Sequence, residues 1–509
     1  MRSDPNANAT ANANATAPAA AAAAVGSSRR RSVMSLGLVS MLDMLIQVIL
    51  PMILVRALTG MDFGEYRLLW LLVATAVAVL PMAVPNSLFY FLPRSGAALR
   101  SAYLVQAALF MIGAAVVAMI GTWLWGTVSS HHPSQLNQVT AFVGMWFFAS
   151  LLDVLFIAQQ QGSSQAAINL TFTLLRLVLV TGSALISHSI AGVMIAHLLL
   201  GAAKAIVCAA VIWRQAAATG LREMSAARSR EQLGFAAPFG ASSGLYLLRG
   251  RIDQWLVAAL FSAAQFGLYS VAAVFSPIQG LIRSTINNVV LPELSQLQAG
   301  DKHESMVALN QRGNLAVALI MFPTLTFLFA MAPQLLTILF TAEFAAAAPV
   351  VRTYCVMLLI ESIEVTTLLT AYRQGPFLMR LDALLLLISV TVSLIGARWF
   401  GMPGAAAGAA VGALLSQIAA FRRCAALTKH AVTQQQDWIS LLRILLIATI
   451  AALATTAIVA TIAAHSPWFQ LLISVVVFCA LYWLALRVVG LKPVVRNVFG
   501  SKLARWAAL

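Results

Sequence analysis

The sequence predicts an all-α polytopic membrane protein of about fourteen transmembrane helices: two pseudo-symmetric six-helix bundles followed by two C-terminal helices. Three observations predict it. Of 509 residues, 61% are apolar and only 9% are charged, a balance that a water-soluble surface could not satisfy and a bilayer requires. Apolar stretches of about 17 to 28 residues recur along the whole chain. Finally, Phe-Gly-x-Tyr occurs twice with an offset of about two hundred residues, in Leu58-Thr59-Gly60-Met61-Asp62-Phe63-Gly64-Glu65-Tyr66 and in Leu260-Phe261-Ser262-Ala263-Ala264-Gln265-Phe266-Gly267-Leu268-Tyr269. Each copy closes one long apolar helix and opens the next, as an internal duplication would place it.

Residues 1 to 31 form a basic N-terminal segment, an Asn/Ala/Thr run too poor in large apolar groups to fold, ending in Arg29-Arg30-Arg31; disorder is the expectation. The span that follows is too long for a signal-peptide core and ends in Ile53-Leu54-Val55-Arg56 without a small-residue cleavage site, so it reads as an uncleaved anchor. The fourteen candidate spans run over 33 to 56, 67 to 92, 99 to 127, 137 to 160, 165 to 187, 190 to 213, 234 to 262, 266 to 292, 306 to 332, 347 to 372, 376 to 397, 403 to 421, 441 to 464 and 468 to 487. The division into units follows: a first six-helix bundle over 32–214, a linker over 215–233, a second bundle over 234–425, two accessory helices over 426–489, and a basic tail over 490–509.

Charge placement orients these spans. With the amino terminus in the cytoplasm, about 23 of the 32 Lys and Arg residues fall in cytoplasmic segments or at their membrane edge, and about three (Arg56, Arg67, Arg398) fall on the far side. Both termini are then cytoplasmic. The net charge of +16 therefore serves topology, and nucleic-acid binding is excluded as a reading. The four cysteines form no Cys-x-x-Cys pair and no His stands at metal-ligand spacing, so they read as small core residues and no metal site is expected.

Charges inside the spans ask for a reason, because each costs at least ~2.5 kcal/mol on the insertion scale. Asp43, Arg176, Lys204, Arg249, Arg251 and Glu361 fall near mid-depth, Asp153, Arg283 and Glu364 nearer the cytoplasm, and Arg352 nearer the other side. They should face a hydrated cavity or one another. Arg249 and Asp253, four apart, could form a local ion pair; Arg251 points away from that pair and has no acid at helical spacing. Lys204 and Arg176 could pair with Asp153 or Asp43 across helices. Glu361 and Glu364, three apart, share a helical face on which they repel, which makes them candidates for ion coupling or for hydrogen bonding to nearby Ser and Thr. Pro51, Pro81, Pro85, Pro277 and Pro323 permit kinks, and the Gly/Ala run from Gly401 to Gly412 reads as close helix packing. No Walker sequence, no Asp-x-Asp motif and no loop large enough for a catalytic site is present, so the chain is not read as an enzyme.

At these motifs the sequence resembles the polysaccharide flippases (Wzx-like O-antigen and exopolysaccharide translocases) of the multidrug/oligosaccharidyl-lipid/polysaccharide exporter superfamily. The resemblance is carried by Leu54-Val55-Arg56-Ala57-Leu58 running into Phe63-Gly64-Glu65-Tyr66, by Asp253-Gln254-Trp255-Leu256-Val257 running into Phe266-Gly267-Leu268-Tyr269, by Pro292 closing the eighth span, and by Leu339-Phe340-Thr341-Ala342-Glu343-Phe344. It covers roughly residues 33 to 425. The resemblance implies a V-shaped pair of bundles in the bacterial inner membrane that moves an undecaprenyl-pyrophosphate-linked oligosaccharide from the cytoplasmic to the periplasmic leaflet by alternating access. Arg249, Arg251 and Arg283, assisted by Arg176 and Lys204, would attract the diphosphate, since Arg binds phosphate oxygens bidentately. Asp43, Asp153, Asp253, Glu361 and Glu364 would couple to H+ or Na+ or hold the cations between cycles; no other cofactor is implied. The implied partners are the lipid-linked oligosaccharide, membrane lipid, and the polysaccharide polymerase and chain-length proteins. The competing readings are an organic-cation antiporter of the same superfamily, whose cavity should be lined with acids and aromatics, and a membrane enzyme of polysaccharide assembly.

Overall fold

The computed structural model of the chain describes residues 34–128, 134–219, 223–462 and 466–489; the segments expected as a disordered N-terminus, 1–31, and a basic tail, 490–509, lie outside the described residues. Everything described is helix or short connection. The helices are α1 (Met34–Ala57), α2 (Gly60–Val79), α3 (Val84–Arg94), α4 (Ala97–Val128), α5 (Leu136–Ala149), α6 (Leu152–Ala158), α7 (Gly162–Ser187), α8 (Ile190–Thr219), α9 (Ala226–Arg249), α10 (Ile252–Leu260), α11 (Ala263–Ala272), α12 (Ser276–Ala299), α13 (His303–Ala330), α14 (Ala332–Leu339), α15 (Ala348–Glu361), α16 (Thr366–Ala371), α17 (Gly375–Thr428), α18 (Trp438–Ala460) and α19 (Pro467–Val488).

The two Phe-Gly-x-Tyr copies have the same local structure because the same signals precede them. Thr59 caps α2, its hydroxyl accepting from Asp62 N at 3.1 Å. Ser262 caps α11, accepting from Gln265 N at 3.3 Å while Gln265 Oε1 accepts from Ser262 N at 3.1 Å, a reciprocal box. Phe63, Tyr66, Phe266 and Tyr269 are all buried. Between them α2 and α11 lie backbone to backbone: a Cβ on Gly64 would stand 1.8 Å from the Ala263 carbonyl oxygen, and one on Gly267 would stand 3.2 Å from Gly64 Cα. The repeated glycine is what allows the two copies to touch.

Among the described residues eleven helical stretches are long and apolar enough to cross a membrane, with α5–α6 and α11–α12 each counted as one and α15 counted from Ala342, and twelve if α2 and α3, bent by 46° at their junction, count as one. The expected fourteen differ from this for two physical reasons. The stretch from α9 to α10 carries Arg228, Arg230, Glu231, Arg249 and Asp253, which lower its hydropathy. α17, at 54 residues, is about 80 Å of helix by its rise, far beyond a bilayer, and it doubles back at Gly401, whose φ of 64° and ψ of −146° are open only to glycine. Its two arms lie in tight contact: a Cβ on Gly396 would stand 2.2 Å from Gly404 O, and Gly408 and Gly412 meet Ser393 Oγ and Ser389 Oγ. The Gly/Ala run is thus helix packing, as its composition predicts.

Two further expectations are corrected. Pro292 lies inside α12, which continues to Ala299, and does not close its span. Cys208, Cys355 and Cys424 are buried, whereas Cys479 is exposed on α19 and is no core residue. Trp468, Phe469, Leu472 and Val476 of the same helix, and Ile439, Leu442, Leu446 and Ile450 of α18, also leave large apolar side chains exposed, the surface that hydrocarbon would cover.

Candidate functional site: a cation-lined central cavity

Two of the expected spans, 234 to 262 and 347 to 372, are interrupted, and both breaks face one cavity. α9 ends at Arg249; Gly250 and Arg251 turn out of helix before α10 begins. α15 ends at Glu361, and the chain runs without regular structure to α16 at Thr366. Non-helical backbone is tolerated at membrane depth only where protein or a water-filled space satisfies it. Here Glu364 O accepts from Asn314 Nδ2 at 2.8 Å and Asn310 Nδ2 at 3.1 Å, and Gly250, Arg251, Glu361 and Glu364 line a cavity of about 860 Å³.

Its wall is built from α1, α2, α7, α9, α10, α12, α15 and α17. Five arginines reach it, Arg67, Arg176, Arg249, Arg251 and Arg283, against three acids, Glu361, Glu364 and Asp382. Each guanidinium has a distinct situation. Arg176 Nη2 donates to Asp43 Oδ1 at 2.9 Å. Arg249 Nε lies 3.0 Å from Asp382 Oδ1, both side chains nearly buried. Arg283 Nη1 donates to Asn314 Oδ1 at 2.9 Å, its Nη2 to the Ser362 carbonyl, and its nearest carboxylate oxygen, on Glu364, stands 3.9 Å away. Arg67 bonds Ser270 across the α2–α11 contact. Arg251 has no hydrogen-bond or ion-pair partner among the described residues, as its isolation from acids at helical spacing predicts. These bonds run between helices rather than back onto the arginine's own, so they fix the guanidinium groups without using up all their donors.

The remaining charges sort clearly. Lys204 Nζ donates to both oxygens of Asp153, at 2.8 and 2.9 Å, with its own side chain 6% exposed; neither residue is on the cavity wall. The cross-helix alternative for Lys204 and Arg176 is the arrangement present. The Arg249–Asp253 pair is not: Arg249 goes to Asp382, and Asp253 accepts from Tyr269 Oη at 2.5 Å and from Tyr354 Oη. The break after α15 also removes the shared helical face of Glu361 and Glu364. Glu364 is held by Asn287 Nδ2 at 3.1 Å, Thr367 Oγ1 at 2.7 Å and Thr366 N at 3.2 Å, while Glu361 reaches the cavity with no hydrogen bond or ion pair among the described residues. Arg352 donates to Phe329 O at 3.2 Å and is not on the cavity wall.

Sequence reasoning missed Arg67 and Asp382. Arg67 stood as a far-side cation because it opens a span, and its recruitment depends on the contact between repeats. Asp382 carried a usable signal: an acid inside the eleventh apolar stretch, meeting the same criterion that singled out Glu361.

A helical membrane protein with a repeated Phe-Gly-x-Tyr motif, two helices interrupted beside a shared cavity and a cavity wall rich in arginine has the architecture of a membrane transporter. Comparison with known proteins is consistent with that class. The chain belongs to the polysaccharide biosynthesis protein family, whose model matches residues 53–349. Among solved structures it is similar to the lipid II flippase MurJ in an inward closed conformation, at 12% identity and a TM-score of 0.65 over 90% of this chain and 99% of that one. It is also similar to an inward-facing multidrug resistance MATE family transporter of the MOP superfamily (14% identity, TM-score 0.56, 77% of this chain and 96% of the other). A third is a MOP superfamily transporter from Pyrococcus furiosus described as having a binding pocket of reversed polarity (13%, 0.55, 79% and 96%). At such identities the likeness establishes the fold alone. No curated protein matches the chain in sequence.

Proposed function

We propose that the protein is a flippase that carries an undecaprenyl-pyrophosphate-linked oligosaccharide from the cytoplasmic to the periplasmic leaflet of the bacterial inner membrane, for polysaccharide biosynthesis and export. The observation that carries this reading is the cavity wall of five arginines against three acids, with Arg251 unpartnered among the described residues. A diphosphate leaving water needs compensating cations, and a planar guanidinium supplies paired donors to its oxygens. An organic-cation substrate would need the opposite balance. Transport rather than catalysis fits a site formed by broken helices and lacking a large loop.

In this reading the chain crosses fourteen times, with α9–α10 as the seventh span and the arms of α17 as the eleventh and twelfth, and both termini are cytoplasmic. The units are 32–214 and 234–425, joined by the linker 215–233 and followed by two accessory helices over 426–489. The α2–α11 contact then closes the periplasmic end. Arg251, Arg249, Arg283 and Arg176 receive the diphosphate, together with Arg67; Lys204 keeps Asp153 neutralised, and Asp43 does the same for Arg176. Glu361, unpartnered and facing the cavity, is the first candidate for coupling to H+ or Na+, with Glu364 and Asp253 in structural roles. The prenyl tail stays in lipid, and the polymerase and chain-length proteins act on the delivered unit.

The test is complementation of polymer export in a strain lacking the chain. Arg251→Ala should abolish export at normal membrane abundance and Arg251→Lys should restore part of it. Normal export by Arg251→Ala would remove the residue from the site, and full uptake of an organic cation by purified protein would replace the reading.

A further inference from the structure

Arg67 faces two ways. It lines the cavity, and its Nε donates to Ser270 Oγ at 2.9 Å while Nη2 donates to Ser270 O at 3.0 Å. Ser270 is the residue equivalent to Arg67 in the second repeat, so the bond joins the two copies at the same position on either side of their contact. Ser270 is 1% exposed, and its hydroxyl donates onward to Gly267 O at 2.8 Å. Gly267 is in turn the residue that meets Gly64. A continuous chain of contacts therefore runs from the cavity wall through Arg67, Ser270 and Gly267 to the backbone contact that holds α2 against α11.

The acceptors Arg67 uses are both neutral. An anionic phosphate oxygen is a stronger acceptor, charge-assisted bonds being roughly twice as strong as neutral ones, and it engages a guanidinium through two parallel N–H groups. The same Nε and Nη2 edge that now serves Ser270 is one of the two edges suited to that geometry. We infer that Arg67 is a binding residue that also reports occupancy: a lipid diphosphate in the cavity draws the Arg67 guanidinium away from Ser270 and so loosens the α2–α11 contact. The inference rests on the diphosphate reading proposed above. It assigns to one side chain both a share of substrate binding and the release of the closed end. A ligand shifts a conformational equilibrium only through differential contacts with the two states, and Arg67 supplies one: bonded to protein when the cavity is empty, bonded to ligand when it is full.

The contact can be read directly. A Cβ on Gly60 would stand 4.0 Å from Ala264 Cβ across the α2–α11 contact, within the separation a disulfide accepts, about 3.5–4.5 Å. The full chain bearing Gly60→Cys, Ala264→Cys and Cys479→Ala, in lipid nanodiscs, is oxidised with copper phenanthroline, and the rate of disulfide formation is measured alone, with farnesyl diphosphate and with inorganic pyrophosphate. Binding is followed in parallel by tryptophan fluorescence. Farnesyl diphosphate should slow crosslinking about fivefold or more. Arg67→Gln should crosslink slowly with or without ligand, while still binding through the other arginines; Arg67→Lys should recover part of the ligand response. Slowing by pyrophosphate as well supports a trigger in the headgroup alone, and slowing by farnesyl diphosphate only supports one that also needs the lipid tail. Saturable binding with an unchanged crosslinking rate, or an Arg67→Gln chain as responsive as its parent, overturns the inference and leaves the substrate reading standing. Absence of binding to the parent overturns both.

Discussion

Gly64→Ala isolates the contact between the repeats. The added Cβ would stand 1.8 Å from the Ala263 carbonyl oxygen and 2.4 Å from the carbonyl carbon. Real Cβ contacts do not fall below 3.0 Å, and the obstacle is backbone, so α2 and α11 must part by more than about 1 Å. Over-packing of this kind costs ~1–3 kcal/mol. It applies only while the two helices touch, so under the alternating-access reading proposed above it raises the population with that end open by about 5- to 150-fold. Alanine also favours helix over glycine by about 0.5–1 kcal/mol, in both states. The global unfolding temperature should therefore move little while the closed population falls. Gly267→Ala is the control at the matching repeat position: its Cβ meets Gly64 Cα and Phe63 Cδ1 at 3.2 Å, which small shifts can relieve. The assay is the rate of disulfide formation between Gly60→Cys and Ala264→Cys in each background, with thermal unfolding by intrinsic fluorescence beside it. Crosslinking in Gly64→Ala as fast as in the parent, or no slower than in Gly267→Ala, would refute the reasoning.

Three further outcomes are expected. Asp382→Ala leaves Arg249 nearly buried without its ion-pair partner, so it should destabilise by ~3–5 kcal/mol; the exchange Arg249→Asp with Asp382→Arg should recover a good part of this in a double-mutant cycle, and purely additive losses would show that the two do not interact. Gly401→Ala forces an alanine into φ 64°, ψ −146° at the turn of α17, at an expected loss of about 1–3 kcal/mol, measured by thermal unfolding; Gly375→Ala, with open space around its Cβ, should change it little. Asp253→Leu removes the one carboxylate oxygen that accepts from both the Tyr269 and the Tyr354 hydroxyl, and each buried donor left unmade should cost about 1–3 kcal/mol; Tyr354→Phe in that background should relieve part of the penalty, which denaturation of the double variant would reveal.

Residue type and spacing made much of this molecule legible. The caps at Thr59 and Ser262, the repeated Phe-Gly-x-Tyr and the apolar stretches define the helices and the local structure the two copies share, because those signals are local. The penalty on an unpaired intramembrane charge made pairing of Lys204 and Arg176 with Asp153 or Asp43 one open reading, and the packing of the helices decides it, giving Asp153 to Lys204 and Asp43 to Arg176. Three things did not follow. Arg249 lies one turn from Asp253, yet the helix ends between them at Gly250, and the partner comes from α17. Glu361 and Glu364 satisfy a three-residue spacing that matters only where the helix continues, and it stops after Glu361. Arg67 joins the cavity because two repeats meet backbone to backbone, a relation between distant segments that no window of sequence contains.

Gly250 has one more consequence. It stands between Arg249, anchored to Asp382, and Arg251, which no neighbour restrains among the described residues, and it has no side chain to resist rotation. The separation of two positive charges is therefore governed by the bend at a single joint, as the opening of a caliper is governed by its pivot. A small swing of α10 against α9 would widen or narrow that gap and so, if the cavity receives the diphosphate proposed above, rank anionic headgroups by their span without altering any residue of its wall.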